Sequence, residues 1–188
     1  MKKQNYLQVK IIIIFVLIIF CCQVLFSDET CKEETNKLKL RLEFGSSMRI
    51  GHDSDETDGV LLSSIFDIGK DLSQRTNLSL RLMPFFAYIQ ESNIEDVAGL
   101  GIGGAFKFFF SRNQERGFFT EIHEILCLHE HKFEGNSSNL NFFSGIGLGY
   151  KFCPNWDMVL RFGHISNANL KDDNQETNIL GINVGYTF

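Results

Sequence analysis

Proline is nearly absent from this 188-residue chain, at two residues, and tryptophan occurs once. No linker stretch and no repeat by sequence identity interrupts it, so nothing marks a second domain. Basic residues are also few: 18 Lys and Arg stand against 23 Asp and Glu, a net charge of −5. That balance argues against nucleic acid as a partner, because phosphate contacts need clustered Lys and Arg. Helical periodicity is missing beyond a turn or two. With 44% hydrophobic and 22% charged residues, the chain is neither disordered nor a polytopic helical membrane protein. What it has in excess is phenylalanine, 19 residues.

The first 27 residues differ from the rest. Lys2, Lys3 and Lys10 precede an unbroken apolar run from Ile11 to Phe20. That is the pattern of a secretory signal, and the run is shorter than the ~20 residues of a comfortable spanning helix. We expect a signal peptide over residues 1–27 and a mature domain over 28–188. Phe20 and Cys21 are not the small residues that precede a lipidated cysteine, so a lipoprotein site at Cys21 or Cys22 is disfavoured. Loss of the signal removes three lysines and no acids, taking the net charge from −5 to −8. It also leaves three cysteines, Cys31, Cys127 and Cys153, an odd count that is no disulfide framework.

From Asn36 onward apolar residues recur with period two. Leu38, Leu40, Leu42 and Phe44 alternate with Lys37, Lys39, Arg41 and Glu43, and Leu180, Ile182, Val184, Tyr186 and Phe188 alternate with Gly181, Asn183, Gly185 and Thr187. Eight such runs are predicted: 37–50, 59–70, 76–91, 97–111, 116–131, 138–152, 156–167 and 178–188. The second alternates poorly. A soluble β-sandwich would turn the apolar faces inward; an outer-membrane barrel turns them to lipid and keeps small and polar residues inside. Eight is the smallest even strand count for such a barrel, and the non-apolar faces combine Gly with Lys, Arg, Asn and Glu. The terminal Tyr186-Thr187-Phe188 resembles the aromatic signature that outer-membrane assembly machinery reads. The expected fold is therefore all-β, an eight-stranded antiparallel transmembrane barrel, with many phenylalanines against lipid.

In the seventh run the apolar parity of Met158, Leu160 and Phe162 continues into His164 and Ser166. Same-face neighbours on a strand lie ~6.5 Å apart, a gap that rotamers can close, and a Ser activated by a His is the core of nucleophilic acyl transfer. The bland alternative is that polar side chains lie at the membrane interface. Here the sequence resembles the lipid A 3-O-deacylases, eight-stranded outer-membrane esterases with a His-x-Ser-Asn-Ala motif in the penultimate strand, matched by His164-Ile165-Ser166-Asn167-Ala168. The resemblance is best over about 141–188. It implies Ser166 as nucleophile, His164 as general base, and Asn167 as a helper at the oxyanion. It also implies a Glu about a dozen residues after the Ser to orient the imidazole. Asn178 stands there instead, and Glu176, of the same parity, lies two residues earlier. Glu176 is the expected orienter and Asn178 its substitute; an Asn holds a tautomer but does not compensate the imidazolium charge.

With both termini periplasmic, the end of the seventh run lies at the outer leaflet, where lipopolysaccharide carries ester-linked acyl chains. The expected activity is serine-type hydrolysis of a 3-hydroxyacyl ester of lipid A, with outer-membrane lipids as surroundings and no cofactor. The rival is a non-catalytic barrel with a structural, adhesive or binding role. Both a monomer and a homodimer stay open. Glu121, His123, Cys127, His129 and His131 share one parity, but an inward polar cluster explains them as well as a metal does. Gly51-His52-Asp53-Ser54 reads as a solvated loop rather than a triad, and Asn136-Ser137-Ser138 as a sequon of little consequence in a bacterial host. The glycines near 99–104 and 145–149 fit close-packed lumen positions rather than a nucleotide site.

Overall fold

The computed structural model describes residues 38–51, 58–90, 94–112 and 114–188. The expected signal, Cys31 and the His52-Asp53-Ser54 loop lie outside them. Eight strands follow in chain order: β1 (Leu38–Arg49), β2 (Gly59–Asp71), β3 (Thr76–Gln90), β4 (Val97–Phe109), β5 (Gly117–His129), β6 (Leu140–Lys151), β7 (Trp156–Ser166) and β8 (Thr177–Thr187). Each pairs antiparallel with the next, and β8 pairs with β1 from Arg41↔Thr187 to Arg49↔Ile179, closing the barrel. Short turns at 72–75, 110–116 and 152–155 share the end that holds both ends of the barrel. Strands β1, β3, β5 and β7 end, and β2, β4, β6 and β8 begin, at the other, loop end.

Period-two alternation dictates the two faces. Leu38, Phe44, Met48, Leu100, Ile102, Ile122, Leu128, Leu160 and Ile182 all point outward and are at least half exposed. In water such a wall would be an aggregation surface; in hydrocarbon it is at equilibrium, and strands of 11 to 15 residues are long enough to span it. At the turn end, Trp156, Tyr186 and Phe188 pack edge to face, as do Phe118, Tyr150 and Phe152, in the manner of an interfacial aromatic belt.

The poor alternation of the second run has a cause: its inward positions carry apolar Leu61 and Ile65 beside the outward Val60 and Leu62, while its parity never changes. The β2–β3 register shifts between Ser64 and Phe66, and the β3–β4 register between Met83 and Phe86. Pro84, which has no N–H to give a ladder, sits in that irregularity. Parity on β3 switches there: Leu78 and Leu80 face out before it, Phe85 and Ile89 after it, and Phe86 turns inward.

Only half of the lumen has the expected filling of glycine, charged and polar residues. Its turn-end half holds a charge network of four cations and four carboxylates. Arg41 reaches Asp157 (2.5 and 2.8 Å), Glu43 (2.6 Å) and Asp67 (3.1 Å). Arg81 reaches Asp67 (2.8 Å) and Glu121 (3.2 Å), and Arg161 reaches Glu43 (2.6 Å) and Glu121. Lys107 lies 3.6 Å from Asp67. The loop-end half is apolar instead: Leu61, Ile65, Met83, Phe86, Tyr88, Val97, Ile125, Phe143, Ile165 and Ile179 form one cluster with Phe133 from the β5–β6 loop. Phenylalanine thus serves both sides of the wall. Inward glycines make the room: a Cβ at Gly145 would collide with His123, and one at Gly185 with Arg41.

Candidate active site

At the outer end of β7 the lipid-facing row changes character, from Met158, Leu160 and Phe162 to His164 and Ser166. The closed sheet fixes their neighbours. Ser144 on β6 and Asn178 on β8 flank His164 directly, and Phe142 stands opposite Ser166. His164 Nδ1 lies 2.9 Å from Asn178 Oδ1 and 3.8 Å from Glu176 Oε2. The imidazole is one-third exposed, and Glu176 is 60% exposed just beyond the start of β8. Both residues proposed to orient the His therefore reach it, but the hydrogen bond belongs to Asn178. With the Nδ1 proton given to Asn178, Nε2 is left as the base. Ser166 is half-buried and its hydroxyl makes no hydrogen bond to His164, so a rotamer change must bring the two together.

Asn167 turns the other way. It is fully buried, its Nδ2 donates to Asn136 Oδ1 (3.1 Å) and to the Asp173 carbonyl (2.8 Å), and its backbone N–H donates to Asn174 Oδ1 (2.7 Å). Every donor of Asn167 is thus engaged, two bonds within the β7–β8 loop and one across to Asn136 of the β5–β6 loop. The same clasp includes the Asn136↔Asn174 bridge and the Ser137 N–H bond to the Asp173 carbonyl (3.0 Å). Directly after Asn167 the chain makes a tight turn, closed by the Leu170 N–H on the Asn167 carbonyl (3.0 Å). Its central residues, Ala168 and Asn169, have φ of 51° and 61°. Asn tolerates that region, but for Ala it carries strain of about 1 kcal/mol. The amides of Ala168 and Asn169 have no acceptor among the described residues, so two donors follow the Ser within three positions.

Beside His164 the outer wall is hollowed into a groove of about 530 Å³, lined by Leu78, Gly104, Phe106, Ile122, Glu124, Ser144, Ile146, Phe162 and His164 among others. Gly104, Glu124, Ser144 and His164 are paired in register across β4 to β7, so four interruptions of the apolar face stand in one row. Sequence reasoning missed Glu124 and Ser144. The signal was there, as gaps at even positions in otherwise apolar runs.

The remaining candidates resolve into packing. Glu121 lies in the arginine network, and His123 Nδ1 accepts from Arg81 at 2.8 Å. His129 Nδ1 bonds the His131 carbonyl (2.5 Å), and His131 meets Glu95 (2.7 Å). Cys127 is buried and Cys153 partly so, and neither is in a disulfide. Asn136 of the sequon is buried in the loop clasp.

Comparisons with known proteins cover most of the chain. Residues 58–187 match the family described as lipid A 3-O-deacylase (PagL). No curated protein matches by sequence. Among solved structures, the outer-membrane enzyme PagL superposes with a TM-score of 0.55 at 18% identity, over 78% of this chain and 97% of that one. The N-terminal β-barrel domain of Pseudomonas aeruginosa OprF gives 0.49 at 15% identity, over 80% and 97% of the two chains. A de novo designed transmembrane β-barrel gives 0.46 at 14%, over 84% and 100%.

Proposed function

Because the chain belongs to the lipid A 3-O-deacylase (PagL) family, we propose that it hydrolyses an ester-linked 3-hydroxyacyl chain of lipid A, at the outer leaflet, by a serine mechanism. The family carries lipid A deacylation and outer-membrane residence; the serine mechanism is our reading of the site. His164 Nε2 takes the proton of Ser166 Oγ as that oxygen attacks the ester carbonyl carbon. The carbonyl oxygen becomes an oxyanion, and the unpartnered amides of Ala168 and Asn169 are placed in sequence to receive it. Collapse breaks the bond to the sugar oxygen, which takes the proton from His164. Water from the loop side then repeats the cycle on the acyl-serine, releasing a free hydroxy acid. Asn178 holds the imidazole, and Glu176, 3.8 Å from Nδ1, contributes negative charge from the exposed side. The acyl chain lies along the groove.

The observation that carries this reading is the hydrogen bond at 2.9 Å that orients His164, two residues from a Ser on the same lipid-facing row. A long-chain fluorophosphonate tests it on purified, detergent-folded protein. The expected result is one adduct on Ser166, read by peptide mass spectrometry and lost in His164→Ala. An unlabelled Ser166 in folded protein returns the chain to the rival reading, a non-catalytic barrel.

A further inference from the structure

Six carboxylates stand on the eight strands, and five point inward. Glu43, Asp67, Glu121 and Asp157 meet arginines, and Asp71 meets Lys39 at 2.6 Å. The sixth, Glu124, points outward between Ile122 and Leu126. It has no cation partner among the described residues. Its one hydrogen bond comes from the Ser144 hydroxyl to Oε2, at 2.7 Å, which leaves Oε1 open to the groove. A carboxylate on a lipid-facing wall is costly unless something answers it. An acyl chain in the groove needs only apolar walls, which Leu78, Phe106, Ile122 and Phe162 supply. A carboxylate adds only acceptors, so what it selects is a ligand that carries a hydrogen-bond donor.

Register says where that donor lies. Glu124 is two strands from His164, ~10 Å between backbones at the usual strand spacing, with the two side chains lining the same groove. The reach of a Glu side chain covers part of that distance. A group a few bonds beyond the scissile carbonyl falls between the two residues. We propose that Glu124, held by Ser144, reads the hydroxyl of the hydroxyacyl chain that is removed, accepting its hydrogen bond and so selecting hydroxylated over plain acyl esters. This specificity role rests on the esterase reading above.

The test uses purified full-length protein in detergent and two synthetic glucosamine 3-O-esters, 3-hydroxytetradecanoyl and tetradecanoyl, which differ only in the acyl hydroxyl. Wild type is expected to favour the hydroxylated ester by about tenfold in kcat/KM, the scale of one charge-assisted hydrogen bond in a half-open site. Glu124→Leu should bring the ratio to about one by slowing only the hydroxylated ester. Glu124→Gln, which keeps a neutral acceptor and the same shape, should fall between, and it carries the test if the Leu variant does not fold. A wild-type ratio near one overturns the proposal and leaves the esterase reading standing. Equal slowing of both esters by Glu124→Gln and Glu124→Leu also overturns it, and points to a donor on the sugar or to a structural role. Hydrolysis of neither ester by wild type removes both readings together.

Discussion

The atom that meets Nδ1 of His164 decides how far the imidazole can act as a base. Asn178 Oδ1 at 2.9 Å fixes ring and tautomer but carries no charge, whereas the transition state turns the ring into an imidazolium. Glu176 carries the charge, but at 3.8 Å and largely in solvent, where its field is screened. Asn178→Asp places a carboxylate of the same shape at the bonded position. It should raise kcat on an ester substrate by about tenfold or more; an unchanged kcat would mean that Glu176 already supplies the charge, and Glu176→Gln would then lower it. Parity made the shared outward face of His164 and Ser166 legible, and the resemblance to the deacylases is what singled the pair out and pointed to Glu176 and Asn178 as the two possible orienters. Which of Glu176 and Asn178 lies opposite His164 was not, because a tight turn of two left-handed residues and a loop clasp set the β7–β8 register. The role expected for Asn167 falls in the same gap. Sequence names an amide beside the Ser but not that its donors are taken up by its own loop and by Asn136 of the neighbouring one.

Among elements, the strand limits were read to within a few residues, since period-two alternation and polar turns are local signals. The parity switch at Pro84–Phe85 was missed because a bulge is an agreement between two strands, visible in neither alone. The groove is of the same kind: Gly104, Glu124, Ser144 and His164 are single gaps in four separate runs until the sheet aligns them. The loops carry a prediction. Asn167 bonds Asn136 and Asp173 across the β5–β6 and β7–β8 loops, so Asn167→Ala should loosen the turn that bears the Ala168 and Asn169 amides. Limited proteolysis should then cut within 130–139 or 167–176 several times faster, and kcat should fall about tenfold or more, while the unfolding temperature, read on gels of samples heated in steps, barely moves. Equal protease resistance would show the clasp to be incidental.

At the scale of the molecule, the wall is held by opposite means at its two ends. Charge balance in the turn-end lumen and apolar packing in the loop-end lumen fill the barrel behind the lipid-facing row of His164 and Ser166. Arg81, fully buried, bonds Asp67, Glu121 and His123, so Arg81→Ala leaves the four buried carboxylates of the network facing three cations, Arg41, Arg161 and Lys107. Denaturant titration should show a loss of about 3–5 kcal/mol, and a loss below 1 kcal/mol would mean that water replaces the guanidinium. The outward apolar wall and the strand count were legible because composition and period both report them. The apolar loop-end lumen was not, because inward Phe86, Phe143 and Phe133 are indistinguishable by type from outward Phe44 and Phe118. The proposed serine esterase at the outer leaflet is open to mass spectrometry of lipid A from Gram-negative cells expressing the chain. Wild type should remove one 3-hydroxyacyl chain and Ser166→Ala should leave lipid A intact; intact lipid A in cells that carry folded wild-type barrel would refute the proposal.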